Sequence, residues 1–315
     1  MNRMANTSPQ KVVKKAVKKT AAAKKSATVK DVPKKIASKK TVPKSTTKTV
    51  AKKSKPAAKK GVPTLAKALT LQKQGKLKEA WDLYQALLKV NPQNFDAVHN
   101  MGLIAIQTKS HQMAIDLFNI AKEIDPTSAK TYNNLANAQF AMQDFAAALA
   151  AYNKAISLDP KYGDALKNRG MLFLGDKQYK KAALDFALAI KASPKTWQLH
   201  AYLANTYIAL KQFDDALKSY QKALKLNPES PVLLNNIGVL LCSSKSYKKA
   251  VQHFCKALAL QPAYAEALNN RAAAYLAMGL YPAAIEDYDH ALHLAPGYAD
   301  AKEGKAKATS YLAKS

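Results

Sequence analysis

Seven prolines constrain this chain more than any other feature: Pro92, Pro126, Pro160, Pro194, Pro228, Pro262 and Pro296 each stand 34 residues from the next. A period that constant identifies a repeat architecture, in which each unit is one supersecondary element and buries its apolar face only by stacking on its neighbours. Numbering each proline as position 32 defines seven consecutive windows: 61–94, 95–128, 129–162, 163–196, 197–230, 231–264 and 265–298. Position 20 is always alanine (Ala80, Ala114, Ala148, Ala182, Ala216, Ala250, Ala284), and position 24 is always aromatic (Tyr84, Phe118, Tyr152, Phe186, Tyr220, Phe254, Tyr288). Position 8 is always Ala or Gly, and position 27 is Ala in every window except the first, which has Leu87.

Such a pattern describes two packed helices, A and B. Small side chains at 8 and 20 let the helices approach, and the ring at 24 fills the remaining space, each ring contributing about 1.5–3 kcal/mol by burial. Proline at 32 has no amide proton and disfavours helix in the residue before it, so helix B stops there. Gly75 and Gly279, both at position 15, fall where helix A is expected to end, and Pro282 at position 18 fits the first turn of helix B. A finer alternation runs through the array: Ala at 8 goes with Tyr at 24, and Gly at 8 with Phe at 24. It suggests growth by duplication of hairpin pairs, with Gly beside Phe and Ala beside Tyr as two ways of filling one gap.

On these residues the chain resembles the tetratricopeptide repeat family, which shares the small residues at 8, 20 and 27, the aromatic at 24 and the proline at 32. The resemblance implies an all-α fold: a right-handed superhelical solenoid of helix-turn-helix hairpins over 61–298. Lys67, at the usually apolar position 7, marks the first repeat as an atypical N-terminal cap. Residues 299–315 read as a C-terminal capping helix, with Ala301, Ala308, Tyr311 and Leu312 available to cover the last hairpin.

The same resemblance implies a concave groove lined by helix A, into which positions 2, 5, 6, 9, 12 and 13 point. Asparagine dominates there: Asn100, Asn134, Asn168, Asn236 and Asn270 at position 6, Asn133, Asn235 and Asn269 at position 5, Asn137 and Asn205 at position 9. A side-chain amide offers a donor and an acceptor together, as a peptide unit does, so a ladder of them can hold a protein or extended peptide by its backbone. The pattern is similar to the asparagine ladder of the O-linked N-acetylglucosamine transferase repeats. The alternative is that these amides bond to neighbouring helices. Basic groove residues are sparse, with Lys167 at position 5, Lys130 at position 2 and none at position 6, which argues against a clamp for a partner's C-terminal carboxylates.

No motif for catalysis, cofactor or metal binding emerges: there is no phosphate-binding glycine loop, zincin helix or nucleophile elbow. Cys242 and Cys255 lack metal-ligand spacing and read as reduced thiols of a cytoplasmic protein. Glu286, Asp287, Asp289, His290 and His293 cluster on the last helix B and are expected to form a solvated surface. No run of residues suits a membrane helix, so no integral membrane segment is expected.

Composition matters before residue 61. Residues 1–60 hold nineteen Lys and one Arg against one acid, Asp31, for a net charge of +19, with no Phe, Tyr, Trp or Gly. So little apolar surface cannot offset the ordering entropy, and a disordered tail is expected. Its lysine doublets Lys14 and Lys15, Lys18 and Lys19, Lys24 and Lys25, Lys34 and Lys35, Lys39 and Lys40, Lys52 and Lys53, and Lys59 and Lys60 resemble linker-histone tails. Such an arm binds a polyanion such as DNA or RNA non-specifically by counterion release. Anionic membrane surfaces, nucleoid or nuclear targeting and solubilisation remain open readings. The sequence thus describes a non-enzymatic adaptor with a peptide groove and a polyanion tether. Two other readings stay open: a histone-like protein whose repeats serve assembly, and a substrate-binding accessory of protein O-glycosylation.

Overall fold

The computed structural model describes residues 64–315, and the expected tail lies outside them. Two compact units divide at Asp159/Pro160. The first contains α1 (Leu65–Lys73), α2 (Leu77–Val90), α3 (Phe95–Gln107), α4 (His111–Ile124), α5 (Ala129–Ala141) and α6 (Phe145–Leu158). The second contains α7 (Gly163–Gly175), α8 (Tyr179–Ala192), α9 (Trp197–Ala209), α10 (Phe213–Leu226), α11 (Pro231–Ser243), α12 (Tyr247–Leu260), α13 (Ala265–Ala277), α14 (Tyr281–Leu294) and α15 (Ala299–Leu312). Within each unit every A helix packs on its own B helix, and each B helix on the A helix that follows, the packing of a solenoid of hairpins. Among the described residues there is no strand, and no helix is long and apolar enough to cross a membrane.

The linkers explain where each hairpin begins. Two residues beyond the proline, the side chains of Asn94, Ser128 and Ser230 accept hydrogen bonds from the amides of Ala97 (3.0 Å), Thr131 (3.3 Å) and Leu233 (3.3 Å), capping α3, α5 and α11. One residue before the proline, Asn91 and Asp125 turn the chain by accepting from the amides of Gln93 at 3.1 Å and Thr127 at 2.9 Å.

Position 15 carries a backbone demand that its side chains conceal. All seven A helices end there in the left-handed region, at Gly75 and Gly279 (φ 75° each) but also at Lys109, Gln143, Lys177, Lys211 and Lys245 (φ 58–64°). In every case the next amide reaches back five residues to a helix carbonyl, from Lys76 to Leu71 at 2.9 Å through Leu280 to Tyr275 at 2.9 Å. That closure satisfies an otherwise orphaned carbonyl and favours glycine at the turn. A side chain with a Cβ is held there at a cost of about 1–2 kcal/mol.

The coupled alternation at 8 and 24 has a steric cause. A Cβ placed on Gly102, Gly170 or Gly238 would stand 2.6, 2.9 or 2.5 Å from the ring of Phe118, Phe186 or Phe254, so phenylalanine occupies the space of the missing methyl. Where position 8 is alanine the ring is tyrosine, anchored at its hydroxyl: Tyr84 donates to Gln72 Oε1 at 2.8 Å, Tyr152 to Asn137 Oδ1 at 2.6 Å, and Tyr220 to Asn205 Oδ1. Tyr288 has its ring against Gly304 on α15, where a Cβ would collide with its Cζ and hydroxyl.

The capping helix seats Ala301 and Ala308, both fully buried, as expected. Tyr311 and Leu312 do not cover the hairpin; they are 49% and 42% exposed. Tyr311 only leans on Tyr281 at 5.8 Å between ring centroids, because the close seat on α14 goes to the small face of Ala301, Gly304 and Ala308. At the other end α1 has nine residues where the other A helices have thirteen, and Lys67 is exposed.

Replacing Gly238 with alanine is expected to cost about 1–3 kcal/mol by overpacking. In a Phe254→Leu background the same change should cost measurably less, which paired urea denaturation curves test; equal costs in both backgrounds would reject the steric account.

Candidate peptide face

Three of the expected groove asparagines are not on a surface. Asn133, Asn235 and Asn269, all at position 5, are 4%, 1% and 8% exposed. This corrects the sequence expectation: position 5 turns toward the next A helix. Its physical role is visible in the second unit, where Asn270 Nδ2 at position 6 donates to Asn235 Oδ1 of the preceding hairpin at 3.0 Å. The same rung exists in the first unit with a different acceptor, because position 5 is there His99: Asn134 Nδ2 lies 3.3 Å from His99 Nε2. A rung from position 6 back to position 5 thus ties one hairpin to the one before it.

At the last hairpin this rung is missing. The residue of α15 that corresponds to position 6 is Gly304, and Asn269 Oδ1 is buried without a hydrogen-bond partner. The asparagines at position 9 accept from the tyrosine hydroxyl of their own hairpin: Asn137 from Tyr152 and Asn205 from Tyr220. The Tyr220 hydroxyl thus ties α10 to α9. Burial raises the pKa of Tyr220 well above the ordinary phenol value, which keeps the hydroxyl protonated as a donor.

The remaining expected residues are spread along the A helices. Asn100 is half-buried and donates to its own helix, at the Asp96 carbonyl (2.7 Å). Asn168 is half-buried on α7, and the Lys167 ammonium pairs with Asp164 at 2.9 Å. Both readings of the asparagines meet in Asn270, whose Nδ2 ties two hairpins together while its Oδ1 is left near the surface; Asn134, by contrast, also accepts at Oδ1 from Asn133 Nδ2 at 3.4 Å. Asn270 lies at the wall of a shallow pocket.

Sequence reasoning missed His99, the tyrosine hydroxyls and two buried ion pairs. Asp185 and Asp287 at position 23 are 1% and 4% exposed and receive paired hydrogen bonds from Arg169 and Arg271 at position 7, at 2.7–2.8 Å. Asp287 therefore leaves the surface cluster to which its neighbours in sequence had assigned it. The signal was present in the register, since Arg at 7 coincides with Asp at 23 in repeats 4 and 7 and in no other. Arg271 Nη1 also points at Cys255 Sγ, 3.3 Å away, and its carboxylate partner raises the guanidinium pKa above the usual value. No group of three or more His, Cys, Asp or Glu among the described residues is arranged to hold a metal ion.

Family models described as tetratricopeptide repeats match residues 129–162, 197–230 and 265–298 and residues 65–129, and a further TPR model matches 240–279. The chain belongs to the tetratricopeptide repeat family, whose members mediate protein–protein interaction. No curated protein sequence matches it. Among solved structures it is similar to YrrB, described as a TPR protein with an unusual peptide-binding site (26% identity, 60% of this chain and 97% of that one, TM-score 0.54). It is also similar in fold to pilF of Pseudomonas aeruginosa (23% identity, 68% and 97% covered, TM-score 0.59). A third likeness is to a tetratricopeptide repeat protein of Parabacteroides merdae (19% identity, 78% and 97% covered, TM-score 0.54).

The His99 rung carries a pH dependence. Its Nδ1 faces Thr131 Oγ1 at 3.1 Å, and that hydroxyl already donates to Ser128, so Nδ1 donates and Nε2 accepts from Asn134. Burial holds the imidazole below the ordinary histidine pKa, opposed by Asp96 and assisted by Lys130. The unfolded chain therefore binds this proton first. Stability is complete above about pH 6.5 and falls as pH drops from there toward the folded value, by at most about 1.4 kcal/mol per pH unit. Urea midpoints between pH 7.5 and 5.5 should decline less for His99→Gln than for the wild type; parallel declines would reject the assignment.

Proposed function

We propose that this chain is a non-enzymatic adaptor that holds an extended segment of a partner protein along its A helices, with residues 1–60 as a tether to a polyanion such as DNA or RNA. The observation that carries the peptide reading is that position-6 amides are held in place: Asn134 and Asn270 are each fixed by a bond to the preceding hairpin, so their orientation is set before a ligand arrives, and Asn270 keeps its Oδ1 for one. A preset donor–acceptor row loses little side-chain entropy on binding and matches a peptide backbone whatever its side chains. The likeness to YrrB, a peptide-binding repeat protein by its description, supports the same reading. The tether reading is supported by the +19 charge of the segment, which has lysine doublets and no aromatic ring for base stacking.

Affinity capture with residues 61–315 is expected to retain a protein partner after nuclease treatment, and Asn134→Ala with Asn236→Ala to reduce that capture while the helical circular dichroism is unchanged. Undiminished capture by the double variant would assign the asparagines to helix packing alone. For the tether, neutralisation of about six to ten phosphates predicts a loss of roughly 10³–10⁵ in affinity for duplex DNA between about 50 and 200 mM salt. A flat salt response, or equal DNA binding without residues 1–60, would remove that task from the tail.

A further inference from the structure

The second unit has a two-part corner at the turn end of its last two A helices. One part is a small apolar pocket of about 110 Å³, walled by Val239 and Cys242 of α11, Tyr247 of α12, and Asn270, Ala273 and Ala277 of α13. The other is a more open shelf that shares Tyr247 and Ala277 with the pocket and carries Lys245, Lys248 and Lys249 beside Ser246. No acidic side chain lines either part, and among the described residues none of the three lysines forms an ion pair.

We propose that this corner reads a short linear peptide in which an aliphatic side chain enters the pocket and an acidic side chain, one or two positions away, lies on the lysine shelf. The inference rests on the adaptor reading and specifies its ligand. Size selects the first element: an apolar cavity of about 150 Å³ accommodates benzene, so the smaller pocket here suits a branched aliphatic group and rejects an aromatic ring. Charge selects the second, because three unpaired ammonium groups face a ligand with no carboxylate of the protein to answer them. Between the two lies Asn270, whose Nδ2 is committed to Asn235 and whose Oδ1 is left to accept a backbone amide of the ligand. Neither α9 nor α11 has a single Asp, Glu, Lys or Arg; on α13, Arg271 is paired with Asp287, and Glu266 stands in the first turn, at the opposite end of the helix from Ala277. Burial pushes the Cys242 thiol up to about 11, so the pocket wall is uncharged as well. An extended chain advances about 3.3 Å per residue, so adjoining pocket and shelf place the acid within a residue or two of the aliphatic anchor.

The test uses the full chain and a displayed library of random dodecapeptides followed by a neutral linker. Enriched sequences are expected to pair Leu, Ile or Val with a nearby Asp or Glu. Resynthesised as labelled peptides, they should lose about tenfold or more in affinity against Ala273→Leu, which fills the pocket, and against Lys245→Ala/Lys248→Ala/Lys249→Ala, which clears the shelf. A matched peptide of equal charge with Ser in place of the aliphatic residue separates this binding from attraction to the basic tail: it should bind Ala273→Leu and the wild type alike. Val239→Ala enlarges the pocket and should shift enrichment toward Phe, an outcome that damage to the fold does not produce. Enriched peptides without the aliphatic–acidic pair, or with affinities indifferent to both variants, overturn the proposal. If those peptides still weaken on Asn134→Ala/Asn236→Ala the adaptor reading stands without this corner, and a library that yields no binder sinks both.

Discussion

Everything in the array depends on how closely helix A meets helix B at three positions. Alanine at 20 is invariant because any larger group would hold the helices apart, and the ring at 24 then has one volume to fill. What remains is a choice at position 8. Glycine gives the ring of Phe118, Phe186 or Phe254 the room a methyl would take, and alanine goes with a ring fixed at its hydroxyl. Close packing converts a difference of one methyl into a difference of residue type sixteen positions away. The hydroxyl in turn fixes the rotamer of Asn137 or Asn205, so a steric decision inside the hairpin sets polar groups on its A-helix face.

Much of this was legible in the sequence, for a physical reason. Repeats average over local ambiguity: a single alanine says little, whereas alanine at the same position of seven windows identifies a contact. The helices, their small faces and the stop at each proline follow from that register. The conformation of position 15 was legible only at Gly75 and Gly279. At Lys109, Gln143, Lys177, Lys211 and Lys245 the local side-chain preference was overruled by the closure of the helix end. Tyr311 and Leu312 misled for a related reason, since apolar character does not say which face of α15 meets α14.

The candidate site was legible in part. Position numbers carried over from the family place asparagine on one face of helix A but cannot distinguish position 5 from position 6, which lie 100° apart on the helix and so differ in whether they meet the next hairpin or the surface. His99 was hidden because a histidine replaces asparagine at the same rung and a composition search for amides passes it over. Asp287 was misassigned with its charged neighbours, although its matching arginine lies at the same register as in repeat 4.

The rung between positions 6 and 5 has a sense of direction. Where it forms, the later hairpin supplies the donor and the earlier one the acceptor, so the two sides of such a joint are chemically unlike. At Asn269 the acceptor waits inside the protein while Gly304, required by the Tyr288 ring, can offer nothing in return. The last joint therefore rests on fit and on the half-exposed Lys305–Asp289 ion pair, which contributes little in water, and α15 should be the first element to come away as the second unit loosens.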